Sequence, residues 1–93
     1  MINKYEAALV YSVANGDEAV NALKEKFNDL IAKNGTIENV DDWGKRRLAY
    51  LINDESEGYY VFTTFTSDAN FPAELERVAG ITDGVLRVLV IKK

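Results

Sequence analysis

The stretch Asp41-Asp42-Trp43-Gly44-Lys45-Arg46-Arg47-Leu48-Ala49-Tyr50 gathers most of the side chains in this protein that can do chemistry. A carboxylate pair suits acid/base work or a hard cation. A run of three cations suits phosphate, because a guanidinium pairs with phosphate oxygens two hydrogen bonds at a time. On a strand, however, neighbouring side chains point to opposite faces, so Asp41 and Asp42 do not converge and are better read as a solvated turn or bulge. Asp54, Glu55 and Glu57 form a second acidic run without the ligand spacing of a calcium loop. The chain has no histidine and no cysteine. That excludes disulfides, thiolate nucleophiles and cysteine-ligated zinc, and removes the usual general base near neutral pH. No cofactor, metal or small-molecule substrate is expected, and the sequence points away from an enzyme. A small hydrolase is the weakest reading, since no phosphate-cradling loop accompanies these residues.

Gly58-Tyr59-Tyr60-Val61-Phe62 invites comparison with the third-strand motif of RNA-recognition domains, whose aromatics stack on bases. Glu57 stands where that motif has a basic residue, Tyr60 replaces a small one and Val61 replaces an aromatic. Tyr60 and Phe62 are therefore expected to pack against protein.

These residues sit in a chain of 93 residues and net charge −4, with 47% apolar and 28% charged residues. That is the balance of one small globular domain. The opening MINKYEAALVY makes a poor signal peptide, and no run approaches the ~18 apolar residues of a membrane span. A cytoplasmic protein is expected. Lys4 to Val13 reads as a strand, and Asn15-Gly16-Asp17 as a turn and helix cap. Val20, Leu23, Phe27, Leu30 and Ile31 recur at helical spacing, with Asn34-Gly35 as a left-handed stop. Thr36 to Ile52 reads as a long strand bulged near Trp43-Gly44. Asn53 to Gly58 reads as a polar turn, and Tyr59 to Thr66 as a strand. A second helix runs from Phe71-Pro72 to Gly80, and Val85 to Ile91 closes the chain as a strand. The order βαββαβ predicts a single ferredoxin-like α+β domain over residues 1–93. Two helices would cover one face of a four-stranded antiparallel sheet of order 4-1-3-2, with the Lys45-Arg46-Arg47 strand at an edge.

A sheet covered on one side should alternate apolar and polar residues. Here the core face takes Ala7, Leu9, Leu48, Tyr50, Ile52, Val61, Phe65, Val88 and Val90. The opposite face, which should be wet, takes Ala8, Val10, Ala49, Leu51, Tyr60, Phe62, Leu89 and Ile91, interrupted by Lys45, Arg47 and Arg87. Arg46 then reaches out past the core side. A one-residue slip exchanges the faces, but the apolar surplus survives either choice. Such a surplus marks a contact surface for another macromolecule. Leu51, Tyr60, Phe62, Leu89 and Ile91 are its candidate protein contacts, with Trp43 as an anchor or a bulge filler. Lys45, Arg46 and Arg47 either contact phosphate or guard an edge strand against aggregation.

Several pieces in order carry a family likeness: Lys4-Tyr5-Glu6, then Gly44-x-Arg46-Arg47-Leu48-Ala49-Tyr50 with Ile52 after it, Gly58-Tyr59, and Asp83-x-Val85-x-Arg87-x-Leu89-Val90. Along essentially the whole chain this resembles the bacterial small-subunit ribosomal protein six family. The resemblance implies a ferredoxin-like, non-enzymatic protein of the ribosome. It also implies pairing with small-subunit ribosomal protein eighteen and binding to the central domain of small-subunit ribosomal RNA during assembly. A basic partner would share the electrostatic work with an acidic protein. Carried over, Arg46, Arg47 and Arg87 are the first candidates for RNA contact, followed by Lys45, Lys92 and Lys93. Many members of that family continue past the last strand with a tail that lies on the partner. This chain stops at Lys93, which shifts the expected burden to the open sheet face and the edge strand. The alternative is a ferredoxin-like ligand-binding module, or one whose open face pairs with a second copy of itself.

Overall fold

Six elements account for these patterns in the computed structural model, which describes residues 2–52 and 54–93. They are β1 (Ile2–Ser12), α1 (Asp17–Asn34), β2 (Gly35–Ile52), β3 (Glu55–Asp68), α2 (Phe71–Gly80) and β4 (Val85–Lys92). All pairings are antiparallel and the sheet order is β2-β3-β1-β4, the ferredoxin-like order expected.

The helices bury their apolar stripes on one side of the sheet: Val20, Phe27 and Ile31 from α1, and Phe71, Leu75 and Ala79 from α2. The sheet meets them with Tyr5, Ala7, Leu9 and Tyr11 of β1 and Val61 and Phe65 of β3. Each fully buried aliphatic or aromatic side chain contributes about 1.5–3 kcal/mol by leaving water. The aromatics also order the layer, with Tyr11 stacked on Phe27 at 6.2 Å and Phe65 meeting Phe71 edge-on at 5.8 Å.

The structure corrects three local expectations. The stop at Asn34-Gly35 is not left-handed, because Gly35 is extended (φ −170°, ψ −156°) and passes straight into β2 opposite Ser67. There the Asn34 amide donates to the Leu30 carbonyl at 2.9 Å, satisfying one terminal acceptor. Second, the polar stretch expected as a turn from Asn53 to Gly58 is mostly strand: β3 begins at Glu55, and Ile52 pairs with Glu55. Asn53 lies outside the described residues. Ser12 donates to Glu55 at 2.6 Å and holds this polar end of the hairpin to β1.

The third correction decides the site. β1 and β3 pair without interruption from Ile2↔Asp68 to Ser12↔Gly58, and alternation reads their faces correctly. β2 does not keep step, since its register shifts between Ile37 and Asn39, between Asp42 and Gly44, and between Arg47 and Ile52. Each extra residue exchanges the faces of everything after it. Leu48, Tyr50 and Ile52 therefore line the open side of the sheet rather than the core. Lys45, opposite Tyr59, faces the helices, and Arg46, opposite Gly58, faces the open side. This inverts the assignment made from alternation.

Candidate functional site

The open face of the sheet is floored by Ala8 and Val10 of β1, Tyr60 and Phe62 of β3, and Leu89 of β4. The end of β2 rises beside this floor and brings Leu48, Ala49, Tyr50 and Ile52 to it, enclosing a groove of about 170 Å³. Gly58 makes that approach possible. A Cβ there would stand 2.5 Å from Val10 Cγ1 and 3.3 Å from Leu48 Cδ2. Arg87 sits at the rim, opposite Val10 in register, and its guanidinium donates to the Tyr50 hydroxyl at 3.3 Å.

At the other margin, the shift between Asp42 and Gly44 leaves Trp43 as the extra residue. Gly44 takes a left-handed φ of 75°, which glycine adopts at little cost. Trp43 leans on Phe62 with ring centroids 4.6 Å apart, and its indole N–H donates to Asp41 Oδ2 at 2.8 Å. The Arg46 guanidinium lies 6.0 Å from the Trp43 ring centre, at the edge of cation–π range. Trp43 remains 47% exposed despite these contacts. It is both a bulge residue and a presented aromatic.

The two acidic neighbours part company as the strand geometry requires. Asp41 holds Trp43 on the open side, while Asp42 faces the helices. There Lys24 of α1 donates to Asp42 Oδ2 at 2.8 Å and to the Tyr59 hydroxyl at 3.2 Å, and the Gly44 amide donates to Asp42 Oδ1 at 3.1 Å. Partial burial pushes the Asp42 carboxyl up, but hydrogen bonds from Lys24 and Tyr59 prevail and hold it below the ordinary carboxylate range. Lys24 is raised correspondingly, first by its hydrogen bond to Asp42. Periodicity and motif matching give no signal for this cluster, because Lys24 and Asp42 belong to different elements and both are ordinary polar surface residues in sequence.

The remaining basic candidates are scattered. Lys45 reaches Asp17 at 3.8 Å on the helix side. Arg47 stands opposite Glu57 on that same side by register, and Lys92 stands opposite Tyr5. Lys93 pairs with Glu6 at 3.3 Å and donates its backbone N–H to the Lys4 carbonyl. Among the described residues Arg46, Arg47 and Arg87 form no ion pair. Only Arg46 and Arg87 flank the apolar groove. Of the candidate protein contacts, Trp43, Tyr60, Phe62, Leu89 and Ile91 share the open face, the last two about half exposed. Leu51 is exposed but lies outside the groove. Leu48 and Tyr50, which alternation assigns to the core, belong to the site. No group of three or more metal-ligating side chains occurs among the described residues.

Comparison with known proteins agrees with this architecture. The family model described as ribosomal protein S6 matches residues 4–92. The small ribosomal subunit protein bS6 of Clostridium perfringens (strain SM101) is 48% identical over 93 residues, covering 99% of this chain and 98% of that protein. Its counterpart in Thermoanaerobacter pseudethanolicus is 49% identical over 92 residues, covering 98% and 97%. The crystal structure of 30S ribosomal protein S6 from Thermotoga maritima superposes with a TM-score of 0.92 at 25% identity, covering 100% of this chain and 89% of that one.

Proposed function

The chain belongs to the ribosomal protein S6 family, a non-enzymatic family, and from that premise we propose how it serves the small ribosomal subunit in the cytoplasm. It holds the central domain of small-subunit ribosomal RNA jointly with small-subunit ribosomal protein eighteen. The observation that carries this reading is an open sheet face that is apolar where half-covered sheets are polar, with two arginines without ion partners among the described residues on its margins.

The division of labour follows from the chemistry. The groove and Trp43 offer apolar area, and burying an aromatic anchor in a desolvated contact accounts for much of the energy of a protein interface. Arg46 and Arg87 supply guanidinium groups that pair with phosphate oxygens, which fixes position on RNA without reading bases. An acidic chain of net charge −4 gains from a basic protein that neutralises further phosphates beside it. Lys45, Arg47, Lys92 and Lys93 then act at the periphery, because they face the helix side or are already paired.

Binding of central-domain RNA to the joint complex, measured across salt concentrations, tests this reading. Arg46→Ala and Arg87→Ala should each weaken binding and flatten the log–log salt dependence by about 0.7–0.9 per arginine. Salt slopes and affinities identical to the unsubstituted complex would contradict it. The half-exposed Leu89 and Ile91 also suit a second copy on the same face. A stable homodimer in sedimentation, with no affinity for RNA, would favour that reading instead.

A further inference from the structure

We propose that Lys24, on the helix side of the sheet, is a positioning residue for Trp43 on the open side, acting through Asp42 and the bulge that separates the two. This rests on the reading of the open face as a partner surface, and adds what sets the anchor of that surface.

Between the Asp42↔Val61 and Gly44↔Tyr60 pairs, one residue of β2 has no partner in β3. An unpaired strand residue has no ladder hydrogen bonds to fix its orientation, so its side chain is only as well placed as the residues bracketing it. Here both carboxylate oxygens of the preceding Asp42 are engaged. Oδ1 accepts from the Gly44 amide across the bulge, and Oδ2 accepts from Lys24 of α1. Lys24 also reaches the Tyr59 hydroxyl, and its ammonium lies 4.7 Å from the centre of that ring. Tyr59 pairs with Lys45, two residues beyond Trp43. The clip thus ties the bulge to α1 on one side and to β3 on the other. With the bulge held, Trp43 has one direction left, toward Phe62, where Asp41 receives the indole N–H.

The polar part of this arrangement faces the helices and the aromatic part faces the open side. Loosening Lys24 leaves every open-face side chain chemically intact while releasing the backbone that aims Trp43. A merely stabilising ion pair would not move the environment of an aromatic on the far side of the sheet.

Trp43 is the only tryptophan, so its fluorescence reports on this residue alone. Lys24→Met should shift Trp43 emission to the red and raise its quenching by acrylamide. The ratio of held to released indole should change by about threefold, the scale of a partly exposed ion pair. Asp42→Asn keeps an oxygen for the Gly44 amide but removes the charge, and should do the same in the same direction. Lys24→Arg should restore the native emission, and Lys33→Met on the same helix should leave it unchanged. Native emission and quenching in Lys24→Met and Asp42→Asn, whatever happens to their melting temperatures, would overturn the proposal. A second arm measures affinity for ribosomal protein eighteen. Lys24→Met should weaken it in the unsubstituted chain and add nothing in a Trp43→Ala background. Affinity indifferent to Trp43→Ala would overturn the anchor reading, and the emission data decide the clip separately.

Discussion

Trp43 concentrates the residue-scale consequences of this structure. Its ring is about half exposed and rests on Phe62, so removing it should matter more for association than for folding. Trp43→Ala is expected to lower stability by no more than about 1 kcal/mol, the scale of an exposed aromatic pair. Affinity for the protein partner should fall by about 2 kcal/mol or more, as at a hot spot. Chemical denaturation and calorimetric titration of the same variant check the two halves. Asp42 gives a second test, through pH. Lys24 and Tyr59 hold its folded carboxyl below the ordinary range, whereas in the unfolded chain it titrates near ~3.9. Its contribution is therefore fully present above the unfolded value and is lost as pH falls through the lower, folded one. The stability advantage of the native chain over Asp42→Asn should be constant near neutrality and shrink only under acid. An advantage that fades between pH 8 and 6 would assign it to other groups.

At the scale of elements, the two faces of the sheet separate stability from recognition. Leu75 of α2 is fully buried on the helix side, so Leu75→Ala should cost about 2–5 kcal/mol of folding free energy. The partner affinity of the folded fraction should be left intact. Gly58 behaves oppositely, because a methyl group there meets Val10 and Leu48 under the groove. Gly58→Ala should cost about 1–3 kcal/mol by overpacking and also weaken partner binding, since it pushes Leu48 out of line. Urea denaturation with affinity measurement on both variants distinguishes them. This scale also explains what was legible in the sequence. β1 and β3 keep an unbroken register, so alternation placed Ala7, Leu9, Val61 and Phe65 in the core and Ala8, Val10, Tyr60 and Phe62 outside it. Gly44 signalled the bulge in β2. Its effect on parity was not legible, because two further register shifts are carried by residues without turn signals. Leu48, Tyr50 and Arg46 consequently exchanged faces. The Lys24–Asp42 clip joins a helix to a distant strand and leaves no trace in local spacing.

For the molecule as a whole, acidity and RNA binding are reconciled by geometry rather than by sum. The net charge is −4, yet the open face carries Arg46 and Arg87 at its margins, while Lys24, Lys45 and Lys93 are engaged with carboxylates on this same chain. Such a protein has little phosphate-neutralising capacity of its own and an apolar face that a partner must cover. The central claim is thus cooperative binding. Its most direct test is the affinity of this chain for central-domain ribosomal RNA, titrated with and without small-subunit ribosomal protein eighteen. Binding that is weak alone and at least about tenfold tighter in the partner's presence, a coupling of roughly 1.4 kcal/mol, is what the structure predicts. Tight binding by the chain alone, unchanged by the partner and by alanine at Arg46, Arg47 and Arg87, would contradict it.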